Sequence, residues 1–233
     1  MADFDLTAVP GVPETRLPEA LLGDLPPNRS PAPWDVRCSS VVWWSRADES
    51  AAKALPRALQ GEATPVRVIG GLVRYDETPV GPYDEVFGVI AYRVGRRFGA
   101  TVAFMAVDSP ASLVGGRTNW SMPKTLARFE GAPVSGQPFS AVSEVGSSWQ
   151  VSANARAFGP RLPALSRARV MQQFPDGALR GSRLKARGRM RLARVQVAVD
   201  SSAGLPDWLV PGRHTGALIT GIRFSLGVPA VQD

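Results

Sequence analysis

The chain is poor in the residues that carry the commoner chemistries. Its 233 residues include one cysteine, Cys38, and one histidine, His214. A lone cysteine forbids an intrachain disulfide and fits a reducing cytoplasm. One histidine and one cysteine cannot supply a zinc set of the usual kind, so no metal is expected. A serine triad would need His214 as its base, and no Gly-x-Ser-x-Gly elbow is present. Gly212 and Gly216 flank His214 and predict a surface loop there. There is no phosphate loop and no dinucleotide fingerprint, so no cofactor is expected. No run approaches the ~20 apolar residues that a spanning helix needs. The acidic opening Met1-Ala2-Asp3-Phe4-Asp5 lacks the apolar segment of a secretory signal. A cytoplasmic protein without membrane contact is the expectation.

Lysine is scarce as well. Lysine and arginine together number 27, but only Lys53, Lys124 and Lys185 are lysines, which leaves 24 arginines. Where charge alone is needed, this sequence uses arginine. A retained lysine is then a candidate for what a guanidinium cannot do: lose its proton and attack a carbonyl. Lys53 sits in the short helical pattern Glu49 to Leu55 and reads as part of a solvated face. Lys185 opens the run Lys185 to Arg191, where it is one charge among several. Lys124 follows Met122-Pro123 and precedes Leu126-Ala127, with Trp120 close by. Pro123 fixes its own φ and biases Met122 toward an extended conformation, a rigid turn that aims the next side chain inward. An amine held in apolar surroundings favours its neutral form, because desolvation penalises the ammonium.

Proline and glycine, by contrast, are plentiful, at 21 and 23 residues. With abundant valine in alternating runs, they predict short strands joined by turns rather than a helical bundle. Residues 1–32 hold six prolines and little periodicity, and read as an extended arm with a brief helical turn at Pro18 to Leu22. The domain proper spans residues 33–233. Strands are expected at Ser39 to Ser45 and Thr64 to Tyr75, with a helix at Asp48 to Leu59 between them, broken at Pro56. A hairpin pairs Glu85 to Val94 with Phe98 to Val107. Pro110 to Val114 is a helical turn, and Thr125 to Phe129 a strand. A second hairpin pairs Ala141 to Val145 with Trp149 to Phe158 around Gly146-Ser147-Ser148. Arg183 to Val199 is a long strand with a bend near Leu192-Ala193, because its apolar positions change parity there. Asp207-Trp208-Leu209 reads as a turn and Gly216 to Val228 as the closing strand. This is a mainly β (α+β) antiparallel domain; periodicity alone admits a sandwich or a barrel.

The net charge is +7. Much of the excess lies between Arg156 and Arg194, where Lys185, Arg187, Arg189 and Arg191 alternate with small or apolar residues. Such a strand is solvated, protects an edge, or pairs with carboxylates of another subunit. Few aromatics are interleaved with it, so there is no stacking platform and no nucleic-acid partner is expected.

Gly116-Arg117, followed after five residues by Pro123-Lys124, resembles the Schiff-base motif of acetoacetate decarboxylases. Gly81-Pro82-Tyr83-Asp84-Glu85 resembles the Tyr-x-Glu element of that family, at the separation from the lysine expected there. Arg37, ahead of Val41-Val42-Trp43-Trp44, falls where the family places a substrate-facing arginine. The resemblance covers roughly Pro33 to Glu130. It implies an antiparallel closed barrel or cone with a few short helices and the lysine pointing into its cavity. It also implies that Lys124 forms an imine with a keto acid, Glu85 moves protons and Arg37 holds a carboxylate. Arg117, Trp120, Met122 and Met105 are candidates to line the substrate cavity. Three positions depart from the family pattern: Thr125 replaces a second lysine, Gly70 stands where a glutamate is usual, and Thr118 follows Arg117. The implied reaction is decarboxylation of a β-keto acid. The alternatives are aldol-type joining or cleavage of a 2-oxo acid and an aldehyde, and a binding domain without turnover. The family resemblance also implies a homo-oligomer.

Overall fold

The computed structural model describes residue 9 and residues 17–144, 148–201 and 208–231. In chain order its elements are α1 (Glu19–Leu22), β1 (Trp34–Arg46), α2 (Glu49–Lys53), β2 (Thr64–Glu77), β3 (Tyr83–Val94), β4 (Arg97–Val107), α3 (Pro110–Trp120), β5 (Lys124–Gly131), β6 (Pro138–Ser143), β7 (Trp149–Gln173), β8 (Leu179–Ser201), β9 (Gly212–Leu226) and β10 (Ala230–Val231). Asp48 caps α2 through its carboxylate, which accepts from the backbone of Ser50 and Ala51, a contact worth about 1 kcal/mol. A short 3-10 turn at Arg57–Leu59 follows Pro56, whose carbonyl accepts from Leu59 N at 2.8 Å.

Each strand from β1 to β4 pairs antiparallel with the next. The β4–β5 pairing is parallel, because α3 crosses over between them. From β5 to β9 the pairing is antiparallel again, and β9 returns to β1. A single parallel bridge, Ala100 to Val170, also joins β4 directly to β7. The sheet therefore closes on itself, which removes the exposed edges that an open sheet would present. The fold is the closed, strand-dominated one expected.

Both faces of this sheet are buried, together along β4, where Thr101 to Val107 are all buried, and in turn along β8. One apolar cluster holds Val41, Trp43, Leu72, Phe104, Val151 and Val195. The other holds Val36, Cys38, Tyr75, Met105, Leu113 and Trp120. This two-sided burial accounts for the change of parity from which a bend at Leu192-Ala193 was expected. β8 runs on without interruption from Leu179 to Ser201. Its even residues are the covered ones up to Leu192, and Ala193, Val195 and Val197 are buried beyond that point. The alternation never breaks; the covered side changes. Register shifts flank that point, in β7 between Phe158 and Leu162, which oppose Leu192 and Met190, and against β9 between Arg187 and Arg189.

Other differences have local causes. α3 extends to Trp120, well past the expected end at Val114. Glycines at 115 and 116 weaken helix propensity, and tertiary packing restores the helix. β7 runs fifteen residues beyond the predicted Phe158, because the long β8 pairs with it as far as Gln173, opposite Leu179. His214 lies in β9 rather than in a loop, with Nε2 2.9 Å from the Val210 carbonyl. Residues 1–8 and 10–16 of the predicted arm, residues 145–147 of the second hairpin turn and Asp207 lie outside the described residues. From Leu17 onward the chain packs on the second cluster through Leu17, Leu21, Leu22 and Leu25. Asn28 then ties it to α3 by donating to Thr118 Oγ1 at 2.6 Å and Asn119 Oδ1 at 2.9 Å.

Candidate active site

Strand register brings residues far apart in sequence onto one face. Val73 pairs with Glu85, and Glu85 with Val107; two residues along β3, Phe87 pairs with Met105, and Met105 with Lys124. Directly opposed residues share a face, so Glu85, Phe87, Met105 and Lys124 all point to the side of the second cluster. Lys124 Nζ donates to Glu85 Oε2 at 2.9 Å and to Ser112 Oγ at 2.9 Å. Both charged side chains are only 3% exposed. Tyr75 donates its hydroxyl to the other carboxylate oxygen, Oε1, at 3.0 Å. Tyr83 stacks on Tyr75 with centroids 4.4 Å apart, and its ring faces Nζ at 5.1 Å. A buried ion pair of this kind is expensive to desolvate and survives only where further hydrogen bonds complete it. Ser112 and Tyr75 supply them.

The electrostatics of the neighbours follow from this arrangement. Burial, and then the charge on Glu85, hold the Tyr75 and Tyr83 hydroxyls well above the usual phenol range. Both therefore stay protonated donors at neutral pH. Burial pushes the Cys38 thiol up to about 12, with Glu85 again contributing, so Cys38 is an inert apolar wall.

Helix α3 sets the position of the lysine. Ser109 caps its start, accepting from Ser112 N, and Pro110 occupies its first turn. Gly115 lies beneath the Trp34 indole and Gly116 beneath the Lys124 stem: an added Cβ would come within 2.5 Å of either side chain. The glycine pair lets one helix seat both. After Trp120, Ser121 takes a left-handed conformation (φ 53°), and its hydroxyl donates to the Gln173 carbonyl at 2.8 Å. Gln172 Nε2 donates to the Ser121 carbonyl at 3.1 Å. The chain then turns tightly about Pro123, with Lys124 N donating to Met122 O at 2.8 Å.

The candidate residues separate by position. Lys124 and Glu85 meet directly. Met105 is the cross-strand neighbour of Lys124, and Met122 is buried in the same cluster. Trp120 packs edge-on against Trp34 with centroids 5.1 Å apart and donates its indole N–H to Gly227 O at 2.9 Å. Arg117 is fully buried, and its Nε donates to the Lys124 backbone carbonyl at 2.6 Å. Burial pulls its guanidinium down to about 9, still cationic at neutral pH. Arg117 thus braces the lysine's main chain. Arg37 is not brought to Lys124. On β1, Val36 and Cys38 point into the second cluster, so Arg37 between them points to the other face. It pairs there with Glu77 at 2.9 Å.

The departures from the family pattern also acquire positions. Thr125 pairs with Ala106 and faces away from the lysine pair, its Oγ1 buried without a hydrogen-bond partner. Gly70 pairs with Trp43, whose indole fills the space a side chain would take. Since Val73 shares the face of Glu85, Gly70 lies on the other one. Ser112 and Tyr75 carried no sequence motif and were missed. Helical spacing held a signal for Ser112, four residues before Gly116 on the same side of α3. Cross-strand pairing held one for Tyr75, which pairs with Tyr83.

The sequence matches the profile of the family described as acetoacetate decarboxylase (ADC) over residues 17–158, more than half of the chain. The chain belongs to that family. No curated protein matches the sequence. Among solved structures, the acetoacetate decarboxylase of Legionella pneumophila subsp. pneumophila str. Philadelphia 1 is 15% identical with a TM-score of 0.60. That match covers 87% of this chain and 88% of the other. The enduracididine biosynthesis enzyme MppR, solved in complex with pyruvate, is 14% identical with a TM-score of 0.61, covering 87% and 91%. An acetoacetate decarboxylase-like enzyme from Sphingomonas wittichii RW1 is 16% identical with a TM-score of 0.53, covering 88% and 94%. At these identities the likeness is one of fold. No helix among the described residues is long and apolar enough to cross a membrane.

Proposed function

We propose that the chain is a lyase that acts on a keto acid through an imine at Lys124. The observation that carries this reading is the buried contact of Nζ with Glu85 and Ser112. In the proposed cycle Glu85 takes the ammonium proton, and the neutral amine adds to the substrate's keto carbon. Glu85 returns that proton to the carbinolamine hydroxyl, which leaves as water and gives a protonated imine. In a β-keto acid the bond to the carboxylate carbon then breaks. Its electron pair moves into the imine, carbon dioxide leaves and an enamine remains. A proton taken up from water through Glu85 is delivered to the enamine carbon, and a second water releases the ketone and restores the ammonium. Tyr75 holds the Glu85 carboxylate in place, and Ser112 orients the amine.

The same enamine can instead attack an aldehyde. One feature favours this second reading: at Gly71, on the face of Glu85, the Phe87 ring takes the place of a second carboxylate. MppR has been solved with the condensation product of pyruvate and imidazole 4-carboxaldehyde, the product of such a step.

Borohydride reduction in the presence of acetoacetate or pyruvate, read by intact mass and peptide mapping, tests the proposal. A permanent adduct on Lys124 is expected. Unmodified protein with every keto acid tried would leave only a binding domain. Carbon dioxide release, set against carbon–carbon bond formation, then separates the two reactions.

A further inference from the structure

On the outer side of the β1–β9–β8–β7 wall, like charges stand directly opposite one another. Arg37 of β1 pairs in register with Arg223 of β9, and Arg223 with Arg187 of β8. Two residues along, Lys185 of β8 stands opposite Arg167 of β7. Like charges in opposed positions destabilise a sheet. Among the described residues, Arg37 alone in this row has a carboxylate partner, Glu77. Arg167, Lys185, Arg187 and Arg223 make no ion pair among the described residues. These five cations and two carboxylates, Asp35 and Glu77, line a groove with a volume of about 740 Å³. That volume lies within the range of small-molecule sites, roughly 300–1,000 Å³. The Arg37 Nε on its wall is buried and has no hydrogen-bond partner. The groove thus combines an uncompensated cationic row, an unused donor and room for a ligand.

We propose that this groove is a binding site for a multiply charged oxyanion, a phosphate or pyrophosphate group carried by a small molecule. Arg223 and Arg187 are its central ligands. Guanidinium forks match phosphate oxygens bidentately, and directly opposed residues on adjacent strands stand about 5 Å apart at their Cα atoms. The bound anion removes the repulsion along the row. The site is separate from the lysine pair and does not depend on the function proposed for it.

Calorimetric titration with inorganic pyrophosphate at low salt tests the assignment. The subjects are the native protein, the double variant Arg187→Gln/Arg223→Gln, and Arg96→Gln at the β3–β4 hairpin as a control. Saturable one-to-one binding is expected for the native protein and the control. Binding weaker by at least about tenfold is expected for the double variant, from the loss of charge-assisted hydrogen bonds. The ligand-free double variant should melt no lower than the native protein, because repulsion is relieved. Should it fail to fold, Arg223→Lys, which keeps the charge and removes the fork, is expected to weaken binding as well. Absence of saturable binding, or equal loss in the control, would overturn the proposal. So would a change of oligomeric mass in the double variant, which would make the groove a contact between subunits. Tighter binding of a single-stranded oligonucleotide than of pyrophosphate, lost in the same variant, would also overturn it.

Discussion

Replacement of Gly116 by alanine is the most direct probe of how α3 holds Lys124. The added Cβ would fall 2.5 Å from Lys124 Cδ, 2.5 Å from Cε and 3.2 Å from Cγ. A lysine stem normally swings away from such a contact at little cost. Here its end is tied to Glu85 and Ser112 inside a closed site, so moving the stem breaks at least one of those bonds. Alanine gains about 1 kcal/mol of helix propensity over glycine. A hydrogen bond to a charged group is worth about 1.5–3 kcal/mol. The balance is a net destabilisation of about 0.5–2 kcal/mol if one bond is lost. Imine formation should suffer more, since displacement of a reacting atom by about 1 Å can cost about a hundredfold. Urea unfolding measures the first quantity, and the rate of borohydride trapping with acetoacetate the second. Gly115→Ala is the comparison, because its Cβ meets the Trp34 ring and leaves the lysine stem alone. It should lower stability and leave trapping per folded molecule nearly unchanged. A Gly116→Ala protein about 1 kcal/mol more stable than the native one, trapping at the native rate, would refute the packing argument.

Lys124→Arg keeps the positive charge and should abolish imine trapping; a residual adduct at the native rate would point to another nucleophile. In a double-mutant cycle of Lys124→Met and Glu85→Gln, each single variant should cost about 3–5 kcal/mol and the pair much less than their sum, as for a buried ion pair; urea midpoints decide it. Thr125→Val should stabilise by about 1 kcal/mol, because it removes a buried hydroxyl without a partner. Alkaline pH should destabilise the fold. Cys38 titrates from 9.0 when free and only at about 12 when folded. A folded-state value above the unfolded one contributes stability that is complete below pH 9.0 and lost as pH rises toward about 12. The slope is about 1.4 kcal/mol per pH unit for each such group, and Tyr75 and Tyr83 add theirs above their ordinary value of 10.0. Cys38→Ala should flatten the slope between pH 9 and pH 10 in urea melts.

Much of this protein was written in local pattern. Alternating valine runs set most strand positions to within a few residues, β7 excepted, Asp48 marked the start of α2, and Pro18 with Gly23 bracketed α1. The rarity of lysine singled out Lys124, and the spacing of Tyr83-x-Glu85 named its partner. What pattern could not convey was which side of the sheet each residue faces. In most sheets one side is buried and parity reveals it. Here both sides are buried, in one stretch of β4 and in successive stretches of β8, so parity does not say which side is the core, and Arg37 lies on the face away from the lysine. Local propensity undervalued α3, because the benefit of Gly115 and Gly116 comes from side chains that arrive from β1 and β5. Ser112 and Tyr75 reach Lys124 and Glu85 only after the strands pair and the crossover helix docks. Hydrogen bonds between such distant segments depend on register and closure, and those are decided by the packing of the whole sheet.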